Sequence, residues 1–296
     1  MAHPKNLALV ALAMLAFAGN SLLCRVALKG GAIDAASFTS VRLLSGALTL
    51  SALVWLQQQQ TPQAQRLTKL PGDGWSAFAL YAYAAGFSFA YLSMTAATGA
   101  LLLFGAVQAT MIAWGVVQGE RWRRLQLVGF ALAVAGLTAL MLPGLATPGF
   151  WGSAAMLGAG VAWGAYSLRG KRKLPNPPTH IAANPTAVTA GNFVRAAPMA
   201  LLLSALTLSQ LHVSTSGVLY AVASGALTSG VGYAIWYRVL PTLQATHAAT
   251  VQLSVPLIAA LGGVVLLGEV ATWPMALSAF AITGGIALVI WDKDRG

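Results

Sequence analysis

Apolar runs of about 20 residues follow one another along this chain from Asn6 to Trp291, separated by short polar or Pro/Gly-containing gaps. Each run matches the roughly 20 residues that a helix needs to cross a hydrocarbon layer about 30 Å thick. Within that layer every backbone N–H and C=O must be satisfied inside the protein, so the runs are read as helices. Of the 296 residues, 57% are hydrophobic and only 8% charged, where ordinary globular chains carry roughly 25% charged residues. A soluble fold has nowhere to hide that much apolar surface. The expected fold class is therefore an all-α integral membrane protein.

Breaks at charges, Pro and Gly place ten transmembrane helices near 6–28, 35–56, 74–95, 97–117, 124–142, 149–168, 184–208, 216–237, 243–267 and 272–291. A signal-peptide reading of the first run, with Ala16-Phe17-Ala18 as the cleavage site, fits poorly because more membrane follows it rather than a secreted domain.

The net charge of +11 would suggest nucleic acid in a soluble protein, but here the cations fall in the gaps between apolar runs. That is topogenic charge rather than a phosphate-binding face. Lys5, Arg66, Lys69, Arg121, Arg123, Arg124, Arg169, Lys171, Arg172, Lys173, Arg238, Lys293 and Arg295 all fall on one side if the N-terminus is inside. Both termini are expected in the cytoplasm, and the chain in the inner membrane. Lys29 and Arg25 fall on the other side or near it, while Arg42 and Arg195 lie within helices.

The two halves of the chain resemble each other. Gly119-Glu120 matches Gly268-Glu269 at a spacing of 149 residues, and Gly136 matches Gly285 at the same spacing. Val41-Arg42-Leu43 matches Val194-Arg195-Ala196 at a spacing of 153. Five helices per half, residues 1–146 and 147–296, force the second half to enter the membrane from the opposite side. Two inverted five-helix repeats are a recurring plan of secondary transporters, because nearly equivalent halves can exchange conformations and expose a central site to each side in turn.

With those residues in view, the chain resembles the drug/metabolite transporter superfamily in its ten-helix form built from two EamA-type halves. The resemblance rests on Asn20 to Lys29, on Phe38-Thr39-Ser40-Val41-Arg42, and on the two Gly-Glu pairs with Gly136 and Gly285. Within the superfamily it looks most like the YddG-type exporters of aromatic amino acids, through its ten-helix layout, Ile33-Asp34-Ala35-Ala36-Ser37-Phe38-Thr39 and the aromatics of its central helices. The resemblance implies export of aromatic and other neutral amino acids by alternating access. A broad small-molecule or drug efflux carrier and a passive channel are the alternatives. Ala165 aligns with Asn20 in the second half, so the two copies are not equivalent at that position.

Candidate contacts with a solute are Asn20 and Ser21 in the first helix, Tyr83 and Phe87 in the third, Gln108 in the fourth, and Trp163 and Tyr166 in the sixth. The spacing of Tyr83, Phe87 and Tyr91 puts three rings on one helix face. Tyr91, Trp236 and Tyr237 lie near helix ends, where an interfacial aromatic belt is expected. Arg42 and Arg195 either meet a substrate carboxylate, or tie their helices to backbone carbonyls and snorkel to the interface. Gly158, Gly160, Gly225, Gly230, Gly232, Gly262 and Gly263 permit close helix packing, and Pro198 and Pro256 predict kinks.

All six acidic residues, Asp34, Asp73, Glu120, Glu269, Asp292 and Asp294, fall at helix ends or in loops. His247 is then the one candidate proton carrier, and facilitated export down a solute gradient is the simplest mechanism. A cavity without carboxylates suits neutral or zwitterionic solutes, whose ammonium can meet aromatic faces. No HExxH, nucleophile with a base, or P-loop is present, and Cys24 stands alone. The chain is expected to be no enzyme, to hold no metal or cofactor, and to act as a monomer in the lipid bilayer on a small-molecule substrate.

Overall fold

The computed structural model describes residues 4–60, 62, 69–117, 124–141, 149–170, 184–240 and 251–294. Expectations that fall on His247, Gly119-Glu120 and the basic run 171–173 lie outside them. The regular elements among the described residues are helices. They are α1 (Pro4–Lys29), α2 (Ala35–Gln59), α3 (Gly74–Ala90), α4 (Ala96–Val117), α5 (Arg124–Met141), α6 (Phe150–Gly170) and α7 (Pro185–Leu206). A 3-10 turn, Leu208–Gln210, precedes α8 (Thr215–Val239), and α9 (Ser254–Leu267) and α10 (Trp273–Asp294) complete the order.

The helix starts follow from short polar side chains that accept the first free N–H groups. The Asp34 carboxylate accepts from the N–H of Ser37 and that of Asp73 from Ser76, both at 2.9 Å. Asn184 Oδ1 accepts from Thr186 at 2.9 Å, and Ser214 Oγ from Gly217 at 3.2 Å. Thr95 does the same for Thr98. α3 stops at Ala90 rather than running to residue 95 as the apolar pattern suggests, because the chain turns there, with Leu92 N–H donating to Phe89 O and Ser93 N–H to Ala90 O. At its other end α9 closes on Gly268, whose φ of 61° is in the left-handed region that favours glycine, and Glu269 N–H donates to the Gly263 carbonyl at 3.0 Å.

Five helices, α1, α2, α4, α7 and α8, are long and apolar enough to cross a membrane, and shorter apolar stretches lie in α5, α9 and α10. The outer surface is apolar too: Leu48, Trp151, Val265 and Phe280 each expose more than two thirds of their area. Water would not tolerate such a surface, whereas lipid requires it. The chain is a multi-pass membrane protein.

α8 is not uniform. Its middle, Ser224–Val231, winds as a π-helix between α-helical turns. There Gly225 lies so close to α2 that an added Cβ would overlap the Arg42 carbonyl. α7 continues through Pro198, while the helical run before α9 is interrupted at Leu253, three residues ahead of Pro256.

The main helix pairs are α5 with α10, α3 with α6, α2 with α7 and α8, α4 with α6 and α9, α1 with α8 and α9, and α3 with α7. One antiparallel bridge, Ile33 with Val213, joins the α1–α2 and α7–α8 connections, with Asp34 N–H donating to His212 O and Ser214 N–H to Ala32 O, each at 2.8 Å. At the α2–α3 connection, Arg169 from the end of α6 meets Asp73 at 2.8 Å. The helices that carry the candidate contact residues, α1, α3, α4 and α6, surround the centre together with α8.

Candidate functional site

A cavity lies at that centre, lined by Phe17, Asn20 and Ser21 of α1, Tyr83 and Phe87 of α3, Leu103 and Phe104 of α4, Trp163 of α6, and Thr228 and Tyr233 of α8. It holds about 20 Å³ of free space, room for about one water.

Its walls are a continuous set of rings. Trp163 lies 4.8 Å from Tyr83 and 5.1 Å from Tyr233, and it stacks on Tyr166 at 5.5 Å. Tyr83 is 5.5 Å from Phe87, and Phe17 meets Tyr233 edge-on at 5.8 Å. These are separations at which ring faces and edges attract.

The polar part is built around Asn20. Its amide Oδ1 accepts from Ser224 Oγ at 2.7 Å and Thr228 Oγ1 at 3.3 Å, and its Nδ2 donates to the Tyr83 hydroxyl at 3.3 Å. That hydroxyl also accepts from Arg42 Nη2 at 2.9 Å, while Arg42 Nε donates to Ser229 Oγ at 3.3 Å. One network thus joins α1, α2, α3 and α8. The π-helical segment gives α8 its place in it by presenting Ser224, Thr228 and Ser229 inward together.

The structure brings Asn20, Ser21, Tyr83, Phe87 and Trp163 to this one cavity. Tyr166 sits one layer out against Trp163 and accepts a long hydrogen bond from Asn192 at 3.5 Å. Gln108 is buried one turn along α4 from the lining residue Phe104.

Arg42 and Arg195, alike in sequence context, differ in place. Arg42 is only 1% exposed, with its guanidinium 5.1 Å from the Tyr83 ring centre and 5.0 Å from that of Phe87. Arg195 is exposed and donates to the carbonyls of Gly191, Leu70 and Pro71. The carbonyl-tie reading describes Arg195 and not Arg42, so the two do not form an equivalent pair.

The belt expectation is also corrected for two residues. Tyr91 is fully buried, its ring edge-on to Phe87 and its hydroxyl donating to the Ala96 carbonyl, and Trp236 is buried edge-on to Phe17. Facing inward, neither ring can meet lipid headgroups. Phe17, Leu103, Phe104, Thr228 and Tyr233 were missing from the expected contact set. The spacing of Ser224 and Thr228 in an apolar run was the available signal for part of it.

One turn beyond the cavity, three elements converge. Arg25, four residues past Ser21, pairs with Glu269 at 3.2 Å and donates to the Tyr91 carbonyl at 2.9 Å. Glu269 in turn accepts the N–H of Ala96 at 2.9 Å, where α4 begins and an anion is favoured. Among the described residues no cluster of His, Cys, Asp and Glu could hold a metal ion.

A family model, the EamA-like transporter family, matches residues 150–291. An uncharacterized protein of Pseudomonas aeruginosa is 48% identical over 291 residues, covering 98% of this chain and 96% of its own length. The chain belongs to the EamA-like transporter family. This places it in the drug/metabolite transporter superfamily, a family of membrane transporters of small solutes rather than enzymes. A solved crystal structure covers the whole of both chains at a TM-score of 0.66 and 19% identity, a likeness in fold alone. In this EamA-like chain the aromatic cavity combines rings and a polar hub in one space.

Proposed function

We propose that this protein exports small neutral or zwitterionic solutes across the inner membrane, aromatic amino acids foremost, by alternating access of two inverted five-helix halves. The halves are residues 1–146 and 147–296, in a monomer with both termini in the cytoplasm. The observation that carries the reading is the cavity, whose Trp163, Tyr83, Phe87 and Tyr233 rings surround the Asn20 hub. Rings offer flat apolar faces to a substrate ring and a quadrupole to its ammonium.

Two features support the inverted halves. The main helix pairs keep their pattern when each helix is exchanged for the one five places away: α3 with α6 becomes α8 with α1, α4 with α6 becomes α9 with α1, and α3 with α7 becomes α8 with α2. In the α5–α10 pair, Gly136 packs against Ile282 and Gly285 against Ala133. Positions 133 and 136 plus 149 are 282 and 285, so the contact is reciprocal, as a twofold relation requires.

The cavity has room for about one water, so a solute enters only when helices part. The Arg25–Glu269 pair, one turn beyond Ser21 and Phe87, is then the tie that closes one end. The test is counterflow into proteoliposomes with neutral, acidic and basic amino acids, choline and nucleotide sugars. Saturable counterflow of aromatic and other neutral amino acids is expected. Flux confined to choline or nucleotide sugars, or flux that never saturates, would overturn the reading.

A further inference from the structure

Among the described residues, three buried side-chain atoms lack a hydrogen-bond partner: Ser21 Oγ, Arg42 Nη1 and Gln108 Nε2. Ser21 lines the cavity, Arg42 lies against the lining rings of Tyr83 and Phe87, and Gln108 is one turn from the lining residue Phe104. All three can donate. The Ser21 hydroxyl is within reach of the Tyr91 hydroxyl, which leaves Arg42 Nη1 and Gln108 Nε2. Buried donors left unmatched are costly and infrequent in native proteins, so these two beside one cavity mark a missing acceptor.

Charge points the same way. Arg42 is buried, its hydrogen bonds go to the neutral hydroxyls of Tyr83 and Ser229, and among the described residues no carboxylate lies within ion-pair distance of it. A buried cation without an anion is unfavourable, and its attraction for one is strong where water is excluded. Ring faces offset part of this. The two ion pairs formed among the described residues, Arg25 with Glu269 and Arg169 with Asp73, lie elsewhere.

We infer that Arg42 is the carboxylate-reading residue of the site, so that the transported solute must carry a carboxylate as well as a ring. As the cavity opens, the solute's carboxylate takes Nη1 and displaces the Tyr83 hydroxyl from Nη2, the two-point geometry that a guanidinium offers a carboxylate. Tyr83 remains bonded to Asn20, and the solute ring lies against Trp163. This rests on the aromatic-exporter reading and deepens it, because solute aromaticity alone makes no demand on Arg42.

The experiment is competition against radiolabelled tryptophan in proteoliposomes, using tryptophan, indole-3-propionate, tryptophanamide and tryptamine. On the wild-type protein the two carboxylates should compete at similar concentrations, and the amide and the amine should need at least about tenfold more. Arg42→Gln should shrink the gap between acid and amide to within about threefold, while Arg42→Lys should keep most of it. Equal competition by tryptophanamide and tryptophan on the wild type overturns the inference and leaves the aromatic reading standing. Absence of tryptophan transport overturns the aromatic reading, and the inference falls with it. The acid-to-amide ratio on the wild type needs no variant, so a poorly folding Arg42→Gln does not blunt the test.

Discussion

The guanidinium of Arg42 lies against the ring of Tyr83, 5.1 Å from its centre, and donates Nη2 to its hydroxyl at 2.9 Å. This pairing places a buried cation of α2 directly behind the aromatic wall contributed by α3. Through Tyr83 it reaches Asn20, and through Asn20 it reaches Ser224 and Thr228 of α8. Four helices therefore share one set of polar contacts around the cavity.

Because Asn20 is the hub, its loss should be felt twice. Asn20→Ala leaves the Ser224 hydroxyl without its partner, while Thr228 keeps the Ser224 carbonyl and Tyr83 keeps Arg42, at about 1–3 kcal/mol for a buried group left unmatched. A lower thermal midpoint in detergent and a clear drop in transport are expected together. An unchanged midpoint with normal transport would mean that the network is slack.

The tie at the end of the cavity makes a different prediction. Glu269→Gln removes the charge that Arg25 meets at 3.2 Å and weakens the cap on α4. A cysteine at Ser21, which lines the cavity, should then react faster with a small impermeant thiol reagent added from outside than in the Ser21→Cys protein alone. The native Cys24 is buried and should give little background. Equal labelling rates in the two proteins would show that the pair does not close the cavity.

Topology can be read at described positions as well. A cysteine at Gly170, exposed at the end of α6, should be protected in intact cells, and one at Ser216, exposed at the start of α8, should be labelled. Labelling of the first and protection of the second would reverse the orientation drawn from the cations.

Much of this arrangement is legible in the sequence, and the reasons for the remainder are physical. Asn20, Ser21, Tyr83, Phe87 and Trp163 stand out because polar groups and rings deep in apolar runs are few, and helical spacing sets Tyr83 and Phe87 on one face. Thr228 and Tyr233 do not, since a π-helical segment resets the register of α8 in a way that no apolar period announces. Tyr91 and Trp236 were misplaced because distance along a helix does not say whether the facing surface is lipid or protein. Arg42 and Arg195 share a local motif, and only the neighbouring helices make one a central cation and the other a tie to carbonyls.

The two capping carboxylates outside the bilayer set the acid limit. Burial tends to raise Asp73, but hydrogen bonds from Ser76 and the Arg169 guanidinium outweigh it and hold the carboxyl below its usual range. Burial likewise opposes, and the N–H groups of Ser37, His212 and Ala36 with the Ser37 hydroxyl outweigh, at Asp34. A depressed carboxyl stabilises the fold above its ordinary value of about 3.9, and that stability is lost as pH falls through the lower folded value. The thermal midpoint should therefore hold from about pH 8 to 5 and fall below about pH 4, with a smaller fall in Asp73→Asn. Identical acid profiles for the two proteins would remove Asp73 from the account.

Trp163 touches Tyr83 and Tyr233, two of the rings that line the cavity, and stacks on Tyr166 behind it. If this is where the solute sits, removing the indole should hurt ring-bearing solutes most. The decisive measurement compares Trp163→Ala and Trp163→Phe for saturable uptake of tryptophan and of a small neutral amino acid. Trp163→Ala should weaken tryptophan by roughly threefold to tenfold, about 0.5–1.5 kcal/mol, with little change for the small solute, and Trp163→Phe should restore part of the loss. Folded variants that carry both solutes as the wild type does would make Trp163 a packing residue and contradict the aromatic-exporter account.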